Sequence, residues 1–130
     1  MIRAAFAALA ASALLTRAVA APLPARTETL ALPCALDGNT VRLRLRLGRL
    51  ARGTEISVRS ESGEPIGTAS PYGLLKGQEA GTYDLRLRPG LFRDGRITVR
   101  LSARHFAKPL RAPSADEVRE VKIFCVPARR

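Results

Sequence analysis

The chain has 130 residues, of which 46% are hydrophobic and only 5% aromatic, with no Trp. That length suits a single domain with an aliphatic core rather than several domains. The formal net charge is +11, and the bases are 19 Arg and 3 Lys. A surface of that charge attracts polyanions, whatever its origin.

The first residues have the pattern of a secretory signal. Arg3 precedes the uncharged run AAFAALAASALLT at residues 4–16, which is shorter than the roughly 20 residues that a membrane-spanning helix needs. Ala18-Val19-Ala20 then fits a small-x-small cleavage site. The sequence predicts a cleaved signal peptide at residues 1–20, with an uncleaved anchor as the alternative, and no transmembrane span in the mature chain.

The chain has two cysteines, Cys34 and Cys125. In an exported protein, an even pair predicts one disulfide, with two free buried thiols as the alternative. A disulfide requires the two Cα atoms to lie within about 7 Å. We therefore predict a disulfide-bonded protein in the periplasm or outside the cell.

The rest of the chain alternates short apolar segments with turns. A Pro-rich, flexible arm is predicted at residues 21–27, and turn signals such as LDGN at 36–39 follow. Short alternating segments with turns about every eight to twelve residues predict an all-β fold, an antiparallel sandwich spanning residues 28–127. The seven predicted strands are Glu28–Ala35, Thr40–Leu47, Glu55–Ser60, Ile66–Ala69, Thr82–Arg88, Arg96–Ala103 and Glu117–Val126.

The last of these segments is the least regular. Its apolar residues Val118, Val121, Ile123 and Cys125 do not keep one simple period. A helical turn at 114–120 is the alternative for its beginning, because Ser114 and Glu117 have the spacing of a capping box.

One stretch carries a family resemblance. EAGTYDL, Glu79–Leu85, resembles the tyrosine corner of immunoglobulin-like domains, and SGEPIG followed by GTYDLRL is similar to prealbumin-like modules. The resemblance implies an immunoglobulin-like sandwich in which the Tyr83 hydroxyl binds the backbone upstream. Leu85 stands where an antibody domain has its second cysteine, and no functional residue is carried over.

Residues suited to catalysis are sparse. His105 is the only histidine, and its Pro-flanked loop favours a surface position without a chemical role. The sequence has no His/Cys/Asp cluster with metal-ligand spacing and no nucleophile-elbow or phosphate-loop motif. We therefore predict a non-enzymatic protein with no catalytic residues, metal or cofactor.

Alternating arginines are the most distinctive feature of the sequence. If the leucines of TVRLRLRLG (residues 40–48) face the core, the arginines between them face outward. One basic stripe would result if the strands share a sheet, and acidic polymers, lipopolysaccharide or anionic lipid head groups would be its partners. The predicted stripe comprises Arg42, Arg44, Arg46, Arg86, Arg88, Arg96, Arg100 and Arg104.

Two considerations limit that interpretation. Outward charges also solvate a sheet and prevent edge-to-edge pairing. Nucleic acid is not expected as a partner, because the chain is exported and has few aromatics on which bases could stack.

The loop SPYGLLKG at 70–77 holds Tyr72, Leu74 and Leu75. Apolar residues in a long loop either contact a partner or cap the end of the sandwich. The sequence as a whole predicts an exported accessory or protein-interaction module with an unknown envelope partner. The alternative is a binder of anionic polymers or lipid head groups through the arginines.

Overall fold

The computed structural model describes residues 24–71 and 77–128. These residues form seven strands in two antiparallel sheets, which confirms the predicted all-β sandwich. The predicted signal peptide and the loop residues Tyr72, Leu74 and Leu75 lie outside the described residues. The strands are β1 (Arg26–Ala31), β2 (Asn39–Arg49), β3 (Thr54–Ser60), β4 (Pro65–Ala69), β5 (Glu79–Leu87), β6 (Arg96–His105) and β7 (Val118–Pro127).

The strands divide into a four-stranded sheet, β1-β6-β3-β4, and a three-stranded sheet, β5-β2-β7. Strand β2 is the centre of the three-stranded sheet. The arginine-rich strand β2 and the strand β6 therefore belong to different sheets.

The core lies between the two sheets and is aliphatic. Along β2, Leu43, Leu45 and Leu47 are fully buried, whereas Arg42 before them and Arg46 between the last two are exposed. This is the alternation that the pleat of a strand imposes. The four-stranded sheet contributes Ile56, Val58, Ile97, Val99, Leu101 and Ala103 to the same core.

The edge strand β1 begins earlier than the sequence indicated. Arg26 and Thr27, assigned to the flexible arm, pair with Leu101 and Arg100 of β6. The Arg26 guanidinium donates hydrogen bonds to Glu28 at 2.8 Å and to the Val118 carbonyl of the other sheet at 2.6 Å. Charged groups that point between the sheets protect an edge strand from pairing with another chain.

A β-bulge explains the irregular pattern of the last strand. Arg46 pairs with Glu120 and Leu47 pairs with Val118, so Arg119 is an extra residue in β7. The bulge displaces the alternation by one position and keeps both Val118 and Val121 on the inner side. Arg119 reaches across the end of the sheet to bind Glu79 of β5.

Gly48 is required where Arg119 crosses β2. A Cβ atom at this position would lie 2.0 Å from the Asp116 carbonyl oxygen and 2.6 Å from Arg119 Nε. We expect Gly48→Ala to lower the free energy of unfolding by about 1–3 kcal/mol, because the backbone at Asp116 must shift.

Urea unfolding followed by circular dichroism measures this effect. Gly90→Ala is the matched control, since a Cβ at Gly90 meets nothing within 4 Å, and a change within about 0.5 kcal/mol is expected there. Equal stability of the two variants would contradict the role assigned to Gly48.

The segment before β7 forms a single turn rather than a helix. Ser114 and Glu117 do form the reciprocal bonds of a capping box, with Glu117 N–H donating to Ser114 Oγ at 3.2 Å and Ser114 N–H donating to Glu117 Oε1 at 3.0 Å. Strand β7 then begins at Val118. The buried Glu117 carboxylate also accepts two hydrogen bonds from Arg111, which hold the pKa of Glu117 below its usual value.

A disulfide joins Cys34 and Cys125, with their Cα atoms 6.4 Å apart, as the sequence predicted. It ties the segment that crosses from β1 to β2 onto strand β7. A disulfide is typical of proteins that mature in an oxidising environment. No helix in residues 24–71 and 77–128 is long and apolar enough to cross a membrane.

Candidate binding surface on the three-stranded sheet

The eight predicted arginines do not form one stripe. Arg42, Arg44, Arg46 and Arg86 lie on the three-stranded sheet, and Arg88 follows its strand β5. Arg96, Arg100 and Arg104 lie on β6 of the other sheet. The outer faces of a sandwich point in opposite directions, so the prediction of a single stripe is wrong. The arginines form two separate groups.

Arg44 is neutralised by its neighbours on the sheet. It donates two hydrogen bonds to Asp84 of β5, at 2.9 and 3.1 Å. These bonds lower the pKa of Asp84 and raise the pKa of Arg44. The Arg44 guanidinium also stacks 4.3 Å above the Phe124 ring, an additional cation–π contact.

Two cations near the bulge share one carboxylate. Arg46 lies 3.5 Å from Glu120, which also lies 3.4 Å from Lys122. Arg88 is bound by Glu64 in the turn after β3. Arg44, Arg46 and Arg88 therefore each have an acidic partner on the protein itself.

Among the described residues, neither Arg42 nor Arg86 forms an ion pair. The charge of Arg42 nevertheless helps to lower the pKa of Asp84, which is bound by Arg44. Arg42 and Arg86 face each other directly across β2 and β5, and both are exposed. Side chains in directly opposed positions have Cβ atoms about 4.5–5.5 Å apart, and like charges there are destabilising. An anion placed between the two guanidinium groups would remove that repulsion.

Apolar side chains adjoin this pair on β7. Phe124 lies opposite Arg42, and Val126 lies opposite Thr40 in the next row. Phe124 is half-buried and Val126 is 38% exposed, while the nearby cation Lys122 shares Glu120 with Arg46. We call Arg42, Arg86, Lys122, Phe124 and Val126 the basic patch.

The outer face of the four-stranded sheet is arranged differently. Arg100 lies opposite Arg59 of β3, whereas Arg104 lies opposite Glu55. The β6 arginines are separated along the strand by Thr98 and Ser102. This face therefore has one opposed pair of cations without an adjoining aromatic side chain on β6 or β3.

His105 ends β6, where its Nδ1 lies 3.1 Å from the Thr54 hydroxyl and its ring contacts Phe106 edge-on at 4.5 Å. No acidic group is hydrogen-bonded to it among the described residues. In the same part of the chain, no three His, Cys, Asp or Glu side chains cluster in a way that could hold a metal ion.

Sequence reasoning missed the β7 members of the basic patch. Lys122, Phe124 and Val126 alternate with the half-buried Ile123 and Cys125, which is a clear period of two once Val118 is set aside. The sequence does show this period of two after Arg119. It was obscured because the bulge at Arg119 breaks the period within the same strand.

Comparison with known proteins gives no relative from which a role could be transferred. The chain matches no family model, no curated protein and no solved structure. The class of protein defined by the fold is a disulfide-bonded β-sandwich, and any function must be argued from its own surface.

Proposed function

We propose that this chain is an exported, non-enzymatic β-sandwich that acts as an accessory or interaction module and binds an acidic protein partner through the basic patch. The observation that carries the proposal is the opposed pair Arg42 and Arg86, neither of which forms an ion pair with a described residue. Its location is proposed as the periplasm or the extracellular space, in keeping with the disulfide and with the pattern of a signal peptide.

The composition of the patch favours a protein partner. Phe124 and Val126 offer apolar contact area beside the cations, and aromatic residues and arginine are enriched at protein interfaces. Carboxylates between Arg42 and Arg86 would form charge-assisted hydrogen bonds, which are the stronger kind.

The second candidate function is binding to an anionic polymer or to lipid head groups. The excess positive charge of Arg42, Arg86 and Lys122 favours it, together with the chain's net charge of +11. Such binding depends on counterion release and weakens steeply with salt.

Charge reversal at one position tests the role of the patch. Arg42→Glu should elute from a heparin column at clearly lower salt than the wild-type protein, because it removes one cation and neutralises Arg86 opposite. Arg104→Glu is the matched control: it makes the same charge change on an exposed residue of the opposite face, and it should elute later than Arg42→Glu.

The elution result tests the patch itself, and two binding experiments distinguish the two candidate functions. Co-elution of Arg42→Glu and Arg104→Glu would show that retention follows total charge, which contradicts a patch. Anionic vesicles distinguish the partner: binding that needs Arg42 supports the second candidate. A partner protein crosslinked at Lys122 in the wild type, and lost in Arg42→Glu, supports the first.

A further inference from the structure

A second site lies at one end of the sandwich, away from the basic patch. An open cavity of about 560 Å³ is bounded by β1, the end of β3, the turn after β3 and the start of β6. Volumes in this range are typical of small-molecule sites. Its walls bring together hydroxyls, carboxylates and guanidinium groups, and Leu91 supplies an apolar wall.

Two arginines of one hairpin line the cavity, which also contains the carboxylates of Glu61 and Glu64. Arg93 and Arg96 flank the turn and exchange both backbone hydrogen bonds, at 2.8 and 2.9 Å. Asp94 and Gly95 between them have φ values of 52° and 70°, as in a type I′ turn. The turn is also fixed to the rest of the fold, since Leu32 N–H donates to the Gly95 carbonyl at 2.8 Å.

This geometry places two like charges side by side at the cavity. Directly opposed side chains project from the same face of a hairpin, and both Arg93 and Arg96 line the cavity. Neither guanidinium forms an ion pair or a hydrogen bond with any described residue. A phosphate or carboxylate group held between them would satisfy both.

The remaining lining groups suit a hydroxylated molecule. The Thr29 and Thr98 hydroxyls lie 3.1 Å apart on neighbouring strands, and Ser62 lies 3.0 Å from the buried Ser60 hydroxyl. Glu61 offers a carboxylate that can accept hydrogen bonds from a ligand's hydroxyl groups. Glu64 is already bound by Arg88, so it repels an incoming anion less than an unpaired carboxylate would.

We propose that this cavity binds a sugar that carries one anionic group, phosphate or carboxylate. Arg93 and Arg96 hold the anion, while Thr98, Ser62 and Glu61 bind the hydroxyl groups. This site is on a different face from the basic patch and does not rest on the function proposed above.

Isothermal titration calorimetry on the disulfide-bonded protein tests this inference. Glucose 6-phosphate or glucuronic acid should bind saturably, and the tighter of the two identifies the anionic group. Glucose and inorganic phosphate should each bind at least tenfold more weakly, because each satisfies only one half of the site. No saturable binding of either anionic sugar, or inorganic phosphate binding as tightly as both, would overturn the proposal.

Variants locate the site. Arg96→Gln and Arg93→Gln should each weaken binding of the anionic sugar at least tenfold, since each removes a charge-assisted hydrogen-bond donor. Arg104 lies on the same strand and face as Arg96 but outside the cavity, so Arg104→Gln should change binding less than twofold. The same is expected of Arg42→Glu on the other sheet. All four side chains are exposed, and circular dichroism verifies their folding. An equal loss in Arg104→Gln and Arg96→Gln would refute the assignment.

Discussion

Removing the Cys34–Cys125 disulfide is expected to lower the free energy of unfolding by about 4–5 kcal/mol. The cysteines are 91 positions apart, and a bridge over so long a loop removes much of the conformational entropy of the unfolded chain. Small domains have a total stability of about 5–15 kcal/mol. Without the bridge, the fold would therefore be marginal.

Urea unfolding with and without reductant measures this contribution. The double variant Cys34→Ser, Cys125→Ser should show the same loss as reduction and no further response to reductant. The loop from β1 to β2 should also lose amide-exchange protection first, because Cys34 is its attachment to β7. A loss below about 1 kcal/mol would mean that the unfolded chain is already compact without the bridge.

A charge in the centre of the core is expected to prevent folding. Leu43 is fully buried on the central strand of its sheet, between Leu85 of β5 and Ile123 of β7. Replacing a buried leucine by alanine alone costs about 2–5 kcal/mol, and burying an unpaired carboxylate in Leu43→Asp costs several more.

The neighbouring residue supplies the control. Arg42→Asp places the same side chain one position away on the outer face, so we expect it to fold with a stability within about 0.5 kcal/mol of the wild type. Leu85→Asp should have a smaller effect than Leu43→Asp, because Leu85 is only half-buried on the edge strand β5. Dispersion of amide resonances distinguishes folded from unfolded variants. A folded Leu43→Asp protein would contradict the placement of the core.

Most strands were predictable because they have a strong local pattern. Leu43 and Leu45 alternate with Arg42 and Arg44, so the inner and outer faces of β2 follow from a period of two. On β6, Ile97, Val99 and Leu101 are buried by the same alternation, which is visible in the sequence.

The pairing of strands was not predictable from these patterns. Alternation shows which side of a strand faces the core, but not which strands are its neighbours. The predicted stripe required Arg42 and Arg100 to share a sheet, and the topology separates them. The opposed pair of Arg42 and Arg86 depends on the register between β2 and β5, which the sequence does not specify.

The cavity was missed for a related reason. The sequence predicts that Arg96 faces outward, but no motif in it assigns a role to Arg93. Their opposition depends on the type I′ geometry of Asp94 and Gly95. The lining also draws on Thr29 and Ser62, which are remote in sequence and meet only through the sheet order.

The central claim is that the outer face of the three-stranded sheet recognises acidic groups. Amide chemical shifts recorded during a titration with a heparin oligosaccharide at low salt test it most directly, since they map the contact residue by residue. We predict that the largest changes fall on Arg42, Arg86 and Lys122 with their strand neighbours, and that they disappear as salt is raised. Changes centred on Arg100 and Arg104 of β6, or spread evenly over all exposed arginines, would contradict the account.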